Sequence, residues 1–226
     1  AAALSEATAE RRPRGRPRKL PEARDDGNRR QELIRAAIQV VRDKGYQGAS
    51  VFEVAKAAGL TPGAFQHHFG TKAVLMMRVV DELVAASDYN APGWPAADLP
   101  LAERARETLQ LLWQRIYEPE RFLVAWQVYM GCGADPEITR YIAGLRQTQQ
   151  DQLRQRFLTV FPELSASPDT PALIDLVMST LRGMGLVRLF GPADAAMAAQ
   201  LDQLAALLVQ RCESLAPPPT PRRKAP

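Results

Sequence analysis

The chain has 226 residues, 46% of them hydrophobic, enough for one small and one larger packed unit. Its formal charge of +4 and isoelectric point near 9.3 are only mildly basic, so the placement of charge says more than its total. Two cysteines, Cys132 and Cys212, lie far apart without metal-ligand spacing, which excludes a disulfide scaffold and fits a reducing cytoplasm, and no apolar run is long enough to predict a membrane span.

The chain starts at Ala1 rather than Met, as expected of a processed or tagged chain, and it lacks the pattern of a secretory signal. Residues 1–27 lack apolar periodicity and are expected to form a disordered arm. Arg11, Arg12, Arg14, Arg16, Arg18 and Lys19 form a basic cluster with no acid inside it. Within it, Pro13 to Lys19 resembles an AT-hook. Gly15 lets the backbone lie on a minor-groove floor, and the flanking prolines hold the chain extended. Arg14 and Arg16 then run along the negative groove of an A·T-rich tract. Two readings stand: a groove-binding arm and a purely electrostatic tail.

Residues 28–44 carry Leu33, Ile34, Ala37, Ile38 and Val41 on one helical stripe, and Gly45 is expected to end that helix. Ser50 and Glu53 have the spacing of a capping box ahead of a short helix with Val51, Val54, Ala55 and Ala58 on its apolar face. Gly59 suits its left-handed cap, Leu60 can plug the turn, and Thr61 with Pro62 opens a second short helix, 62–69. A small Ala55 before the turn and an apolar Phe65 after it let two helices cross closely. This is the pattern of a helix-turn-helix whose second helix enters a major groove. Thr71 then caps a further helix with Val74, Leu75, Val79 and Leu83 inward.

Residues 28–88 resemble the N-terminal domain of the TetR family of transcriptional repressors. The resemblance rests on Gly45-Tyr46, the Ser50 cap, Val54 to Leu60, Gly63, Phe65 to Phe69, and Thr71-Lys72. It implies that Ser50, Thr61 and Lys72 clamp the DNA backbone from helix N-termini, where free N–H groups suit phosphate. Pro62, Gly63, Gln66 and His67 are expected on the DNA-facing side of the reading helix. The family usually has tyrosine at the place of Gln66, contacting a phosphate, so Gln66 is open to a base-reading role instead. His67 and His68 point about 100° apart on a helix and have no Glu or Cys beside them in sequence. They are not expected to converge on an ion, and His68 is expected in the core.

The proline-rich stretch 90–100 marks a boundary, and 101–215 reads as helical: 101–117, 119–132, 136–160, 171–190 and a last helix to 215. The tail, 216–226, is expected to be disordered. The fold class is therefore all-α: a three-helix DNA-binding domain followed by a larger helical effector-binding and dimerisation domain. No nucleophile elbow, phosphate loop or carboxylate pair points to an enzyme, and no cofactor or metal is expected. By the resemblance, an apolar cavity lies between the C-terminal helices, with Trp113, Trp126, Tyr129 and Met130 as candidate walls and a largely apolar small-molecule effector. Arg182 and Arg188 interrupt an apolar helix and are expected to meet an anionic effector or a carboxylate across a dimer interface. Leu176, Leu181, Leu186, Leu189, Leu201, Leu204 and Leu208 are expected to pair with a second copy. The implied function is a cytoplasmic homodimeric repressor bound to a palindromic double-stranded operator. Two rivals are an architectural DNA binder using the arm, and a helical carrier or enzyme.

Overall fold

The computed structural model describes residues 23–85, 88–191 and 194–215. Among them the order is α1 (Ala23–Gly48), α2 (Val51–Ala57), α3 (Pro62–His68), α4 (Lys72–Ala85), α5 (Leu101–Leu112), α6 (Glu120–Gly131), α7 (Pro136–Val160), α8 (Thr170–Val187) and α9 (Asp194–Leu215), with no strand. The basic arm with Arg14, Gly15 and Arg16, and the tail 216–226, lie outside the described residues.

Helix ends follow local chemistry. Glu53 N–H donates to Ser50 Oγ at 3.2 Å, Ala64 N–H to Thr61 Oγ1 at 3.2 Å, and Val74 N–H to Thr71 Oγ1 at 3.2 Å. Asp135 caps α7 by accepting from the N–H groups of Glu137 and Ile138 at 3.0 and 3.3 Å. Gly59 adopts φ +65° and its turn closes with Leu60 N–H on the Ala55 carbonyl at 2.9 Å. Gly45 breaks the first helix at φ +72° where the sequence places its end.

Three boundaries differ from the sequence reading. The first helix begins at Ala23, ahead of the apolar stripe that made it visible. The Ser50 box is only half formed: Ser50 N–H donates to the Gly48 carbonyl at 2.9 Å, while the Glu53 carboxylate pairs with Lys44. The predicted helix 101–117 stops at Leu112 and continues as a π turn, Trp113–Tyr117, in which Glu118 N–H reaches the Trp113 carbonyl at 2.9 Å. That extra residue per turn swings Ile116 and Tyr117 inward, both buried.

Two apolar clusters form. One gathers α5, the π turn, α7, α8 and α9 around Leu109, Phe157, Phe161, Ile174 and Leu181. The other gathers α1 to α4 around Leu33, Val41, Phe65, Leu75 and Val79, and it continues into Val124 and Val128 of α6 and Ile138 and Ile142 of α7. The proline-rich segment turns the chain, but the apolar contact crosses it. The crossing depends on Gly131, because a Cβ there would overlap the Tyr46 ring. Tyr46 in turn takes Lys72: the ammonium donates to the Tyr46 carbonyl at 2.6 Å and lies 4.1 Å from the ring centroid.

In the C-terminal cluster Arg104, 5% exposed, ties three segments together. It donates to the Leu99 carbonyl at 3.0 Å, to the Val160 carbonyl at 2.5 Å and to Glu163 at 2.6 Å. The bond from Arg104 holds the Glu163 carboxyl below its ordinary value. A carboxylate depressed by folding adds stability above its unfolded pKa, and that stability is lost as pH falls through the folded value. Arg104→Met should cost about 3–5 kcal/mol near neutral pH, since it strands Glu163 and two carbonyls. In urea melts against pH, the variant should also lose part of the wild-type fall in stability below about pH 4.5. An unchanged pH slope would show that the pair contributes nothing.

Candidate nucleic-acid interface and buried cavity

Helix α3 is held by one side only. Phe65 is fully buried and Phe69 nearly so, while Thr61, Pro62, Gly63, Gln66 and His67 are all exposed. Ala55, fully buried at the close crossing, lets α2 support it. Ser50 and Thr61 are exposed at the starts of α2 and α3, each with its hydroxyl already capping. The exposed face therefore carries donors and a backbone-level gap at Gly63. A Cβ on Gly63 would meet only Thr61 Oγ1 at 3.6 Å, so nothing inside the protein requires glycine there.

Lys72 behaves differently from the expected phosphate cation. It is half-buried, its ammonium is engaged by Tyr46, and burial lowers its pKa. In this conformation it ties α4 to α1 rather than facing outward.

The expectation that His67 and His68 diverge is corrected. Their rings meet edge-to-face with centroids 5.0 Å apart, and both turn towards Asp26, His67 Nδ1 at 3.9 Å and His68 Nε2 at 3.6 Å. The ligand-capable atoms of the trio lie within 4.8 Å of one another, so three donors converge where none was expected. Side-chain rotation offsets the turn of the helix, and Asp26 arrives from α1, far away in sequence. The His68 side chain is 6% exposed, as a packed residue, while His67 and Asp26 face solvent.

A cavity of about 210 Å³ opens where α4, α6, α7 and α8 meet. Trp126 and Tyr129 line it, as the sequence reading expects. Met130 does not; it is 70% exposed, because the wall positions of α6, Phe122, Ala125, Trp126 and Tyr129, follow one helical face and Met130 falls off it. Trp113 is buried but faces a second cleft, against α9. Ile116 and Tyr117, in the π turn that follows, line the first cavity instead. Three charged groups of the second cleft are already engaged: Arg188 donates to the Tyr117 and Glu118 carbonyls, and Arg106 lies 4.0 Å from Asp202.

The first cavity is more polar than the sequence reading expects. Tyr89, Tyr117, Arg121, Arg146 and Arg182 line it beside Phe122, Ala125 and Met178. Burial pushes the Tyr89 hydroxyl up to about 12 and raises Tyr117 and Tyr129 as well. The positive charges of Arg182 and Arg146 pull all three the other way, so both guanidiniums act across the whole cavity. Arg182 was legible as a cation in an apolar helix. Tyr89 and Arg146 were not, because a turn and an otherwise polar helix give no pattern.

The cavity and the reading helix share one element. Leu83 and Val84, in the last turn of α4, line the cavity, while Lys72 opens α4 three residues after Phe69 ends α3. Over fourteen residues α4 spans about 21 Å. Its side is held to α7 by the Tyr141 hydroxyl on Asp81, which also pairs with Arg78 at 2.8 Å.

Gly63→Ala should leave folding intact or stabilise it by up to about 1 kcal/mol while weakening DNA binding, read by thermal melts and band shifts. Equal DNA affinity would remove Gly63 from the interface. Gly131→Ala should cost about 1–3 kcal/mol by forcing α6 off Tyr46. Hydrogen exchange should then rise first in α1 and α6, and uniform exchange would show that the crossing is not a separate joint.

The sequence pattern of "Bacterial regulatory proteins, tetR family" matches residues 33–79. The chain is 22% identical over 142 residues to the HTH-type transcriptional regulator BetI of Rhizobium meliloti (strain 1021), covering 63% of each chain. It is 44% identical over 52 residues to the HTH-type transcriptional regulator CymR of Pseudomonas putida, covering 23% of this chain and 26% of CymR. The matched region thus spans less than two thirds of either relative. In fold it is similar to the multidrug binding protein EbrR complexed with ethidium, at TM-score 0.59 and 21% identity, covering 83% of this chain and 99% of EbrR. Residues 33–79 thus match the helix-turn-helix segment of the tetR family of bacterial regulatory proteins in sequence, and the helices of the chain as a whole share the fold of EbrR.

Proposed function

We propose that the chain is a ligand-responsive transcriptional regulator that binds a palindromic operator as a homodimer. The observation that carries this reading is α4, which follows the reading helix at one end and walls the cavity at the other. A molecule seated against Leu83 and Val84 changes what α4 can pack on, and α4 sets where α3 points. Ligand and operator then favour different placements of the heads, so each weakens the other by the same factor. EbrR is a multidrug binding protein with ethidium bound, which supports a small-molecule site in this fold.

Each subunit lays the outer face of α3 in a major groove. Gly63 allows close approach, and Gln66 and His67 reach base edges or phosphates. Ser50 and Thr61 sit at helix starts suited to phosphate. Lys72 joins them only by leaving Tyr46. The basic arm with Arg14, Gly15 and Arg16 extends the contact into the neighbouring minor groove.

The dimer face is the outer side of α8 and α9. Leu181, Leu204 and Leu208 are buried in the chain's own core, which corrects their expected place at the interface. Leu176, Val187, Leu189, Phe190 and Leu207 stay exposed, Phe190 by 89%. Apolar side chains in such number on one side of a helical domain favour association.

Selection of bound duplexes from a random pool at physiological salt should enrich a palindrome with one half-site per head. Enrichment of A·T content alone would sink the sequence-reading function. Gln66→Ala should then relax one position of each half-site by about 1–3 kcal/mol, whereas an equal loss on all duplexes would make Gln66 a phosphate contact. Leu176→Glu with Val187→Glu should yield monomers in sedimentation and lose the full palindrome. A dimeric double variant would place the interface elsewhere.

A further inference from the structure

We propose that the effector is a small organic anion with an aromatic or otherwise apolar body, its acid group held between Arg182 and Arg146 and its body against Trp126, Phe122 and Tyr129. This rests on the cavity being the effector site. The sequence alone favours a largely apolar effector, and the walls of the cavity argue otherwise.

Charge is the first reason. The lining holds Arg121, Arg146 and Arg182 against a single carboxylate, Asp175. That carboxylate is already committed outside the group, to Arg154 at 3.0 Å and to Gln150 at 3.3 Å. Among the described residues, no carboxylate lies within ion-pair distance of Arg146 or Arg182, and neither makes a hydrogen bond. Two guanidiniums beside apolar walls, with no counter-ion, make a field that an anion relieves. Arginine serves this better than lysine, because its planar fork meets a carboxylate through two parallel N–H bonds.

Placement is the second reason. Arg146 projects from α7 and Arg182 from α8, and Arg146 is the more exposed. The acid end therefore sits on the side of α7 and α8, with Arg146 towards solvent. Opposite lies α6, which contributes Phe122, Ala125, Trp126 and Tyr129. Phe122–Trp126 and Trp126–Tyr129 stack edge-to-face with centroids 6.3 and 5.6 Å apart, forming a continuous aromatic wall. The Tyr89 and Tyr129 hydroxyls make no hydrogen bond among the described residues and remain protonated donors near neutral pH. Each can donate to an anion.

Size is the third reason. About 210 Å³ is below the roughly 300–1,000 Å³ of sites for drug-sized ligands, which suits one or two fused rings. Leu83 and Val84 close the end nearest α4, so the apolar body, not the acid, presses on the helix leading to the DNA.

The test uses the full chain and matched probes: benzoate, phenylacetate and 2-naphthoate, each beside its uncharged amide. Binding is read by calorimetry and Trp126 fluorescence, and operator release by band shift. At least one acid should bind about ten- to a hundredfold tighter than its amide. Arg182→Gln and Arg146→Gln should erase that preference, the acid falling to the affinity of its amide, and Arg182→Lys should restore part of it. Ala125→Trp, which fills the cavity, should abolish both probes. Amides binding as well as acids, glutamine variants keeping the preference, or no acid binding at millimolar concentration would overturn the anion assignment. Probe binding that survives Ala125→Trp would instead overturn the cavity as the effector site.

Discussion

The rest of the structure depends on the contact of Tyr46 with Gly131. A helical head of α1 to α4 is too small to bury its apolar stripes alone, and it completes its core on Val124 and Val128 of α6. That needs α1 and α6 to approach more closely than two side chains allow. Glycine at 131 removes one of them, and the Tyr46 ring fills the space. The same tyrosine holds Lys72, so the start of α4 is fixed by the same contact. The head is therefore attached through one aromatic ring of α1 whose partners come from α4 and α6.

An interior joined this way transmits strain instead of absorbing it. Helix α6 contributes to both sides: Val124 and Val128 belong to the head's core, and Phe122, Trp126 and Tyr129 wall the cavity. Under the proposed function, a ligand that shifts α6 would be felt at Tyr46, and one that shifts α4 would be felt at α3. Two routes run from the cavity to the reading helix, one along α4 and one across the Gly131 crossing. The π turn after α5 belongs to this design, since it brings Ile116 and Tyr117 into the cavity and leaves Trp113 to the second cleft.

The two ends of the molecule treat charge differently. On the outer face of α3 the exposed groups are mostly neutral donors; Lys72 is held inward, while the exposed Arg30 lies 5.8 Å from the Phe69 ring centroid. In the C-terminal core Arg104 is balanced by Glu163, whereas Arg146 and Arg182 line the cavity with no carboxylate at ion-pair distance among the described residues. Arginines of one fold thus divide into those that hold it together and those free to meet a ligand.

What the sequence determined by itself was local. Ser50, Thr61, Thr71 and Asp135 cap because a hydroxyl or carboxylate three residues from an N–H needs no tertiary context. Gly59 turns because only a residue without a Cβ enters that conformation at no cost. Those features, at fixed spacing, were enough to read the helix-turn-helix. Tertiary structure decided everything that depends on which helix faces which. Met130 follows the wall residue Tyr129 yet points to solvent, because helix phase relative to α7 and α8 sets the cavity. Leu204 and Leu208 look like interface leucines and serve the chain's own core. Asp26 meets two histidines, Lys72 folds onto Tyr46, and Arg146 and Arg182 come to line one cavity from different helices, none of which spacing along the chain can encode.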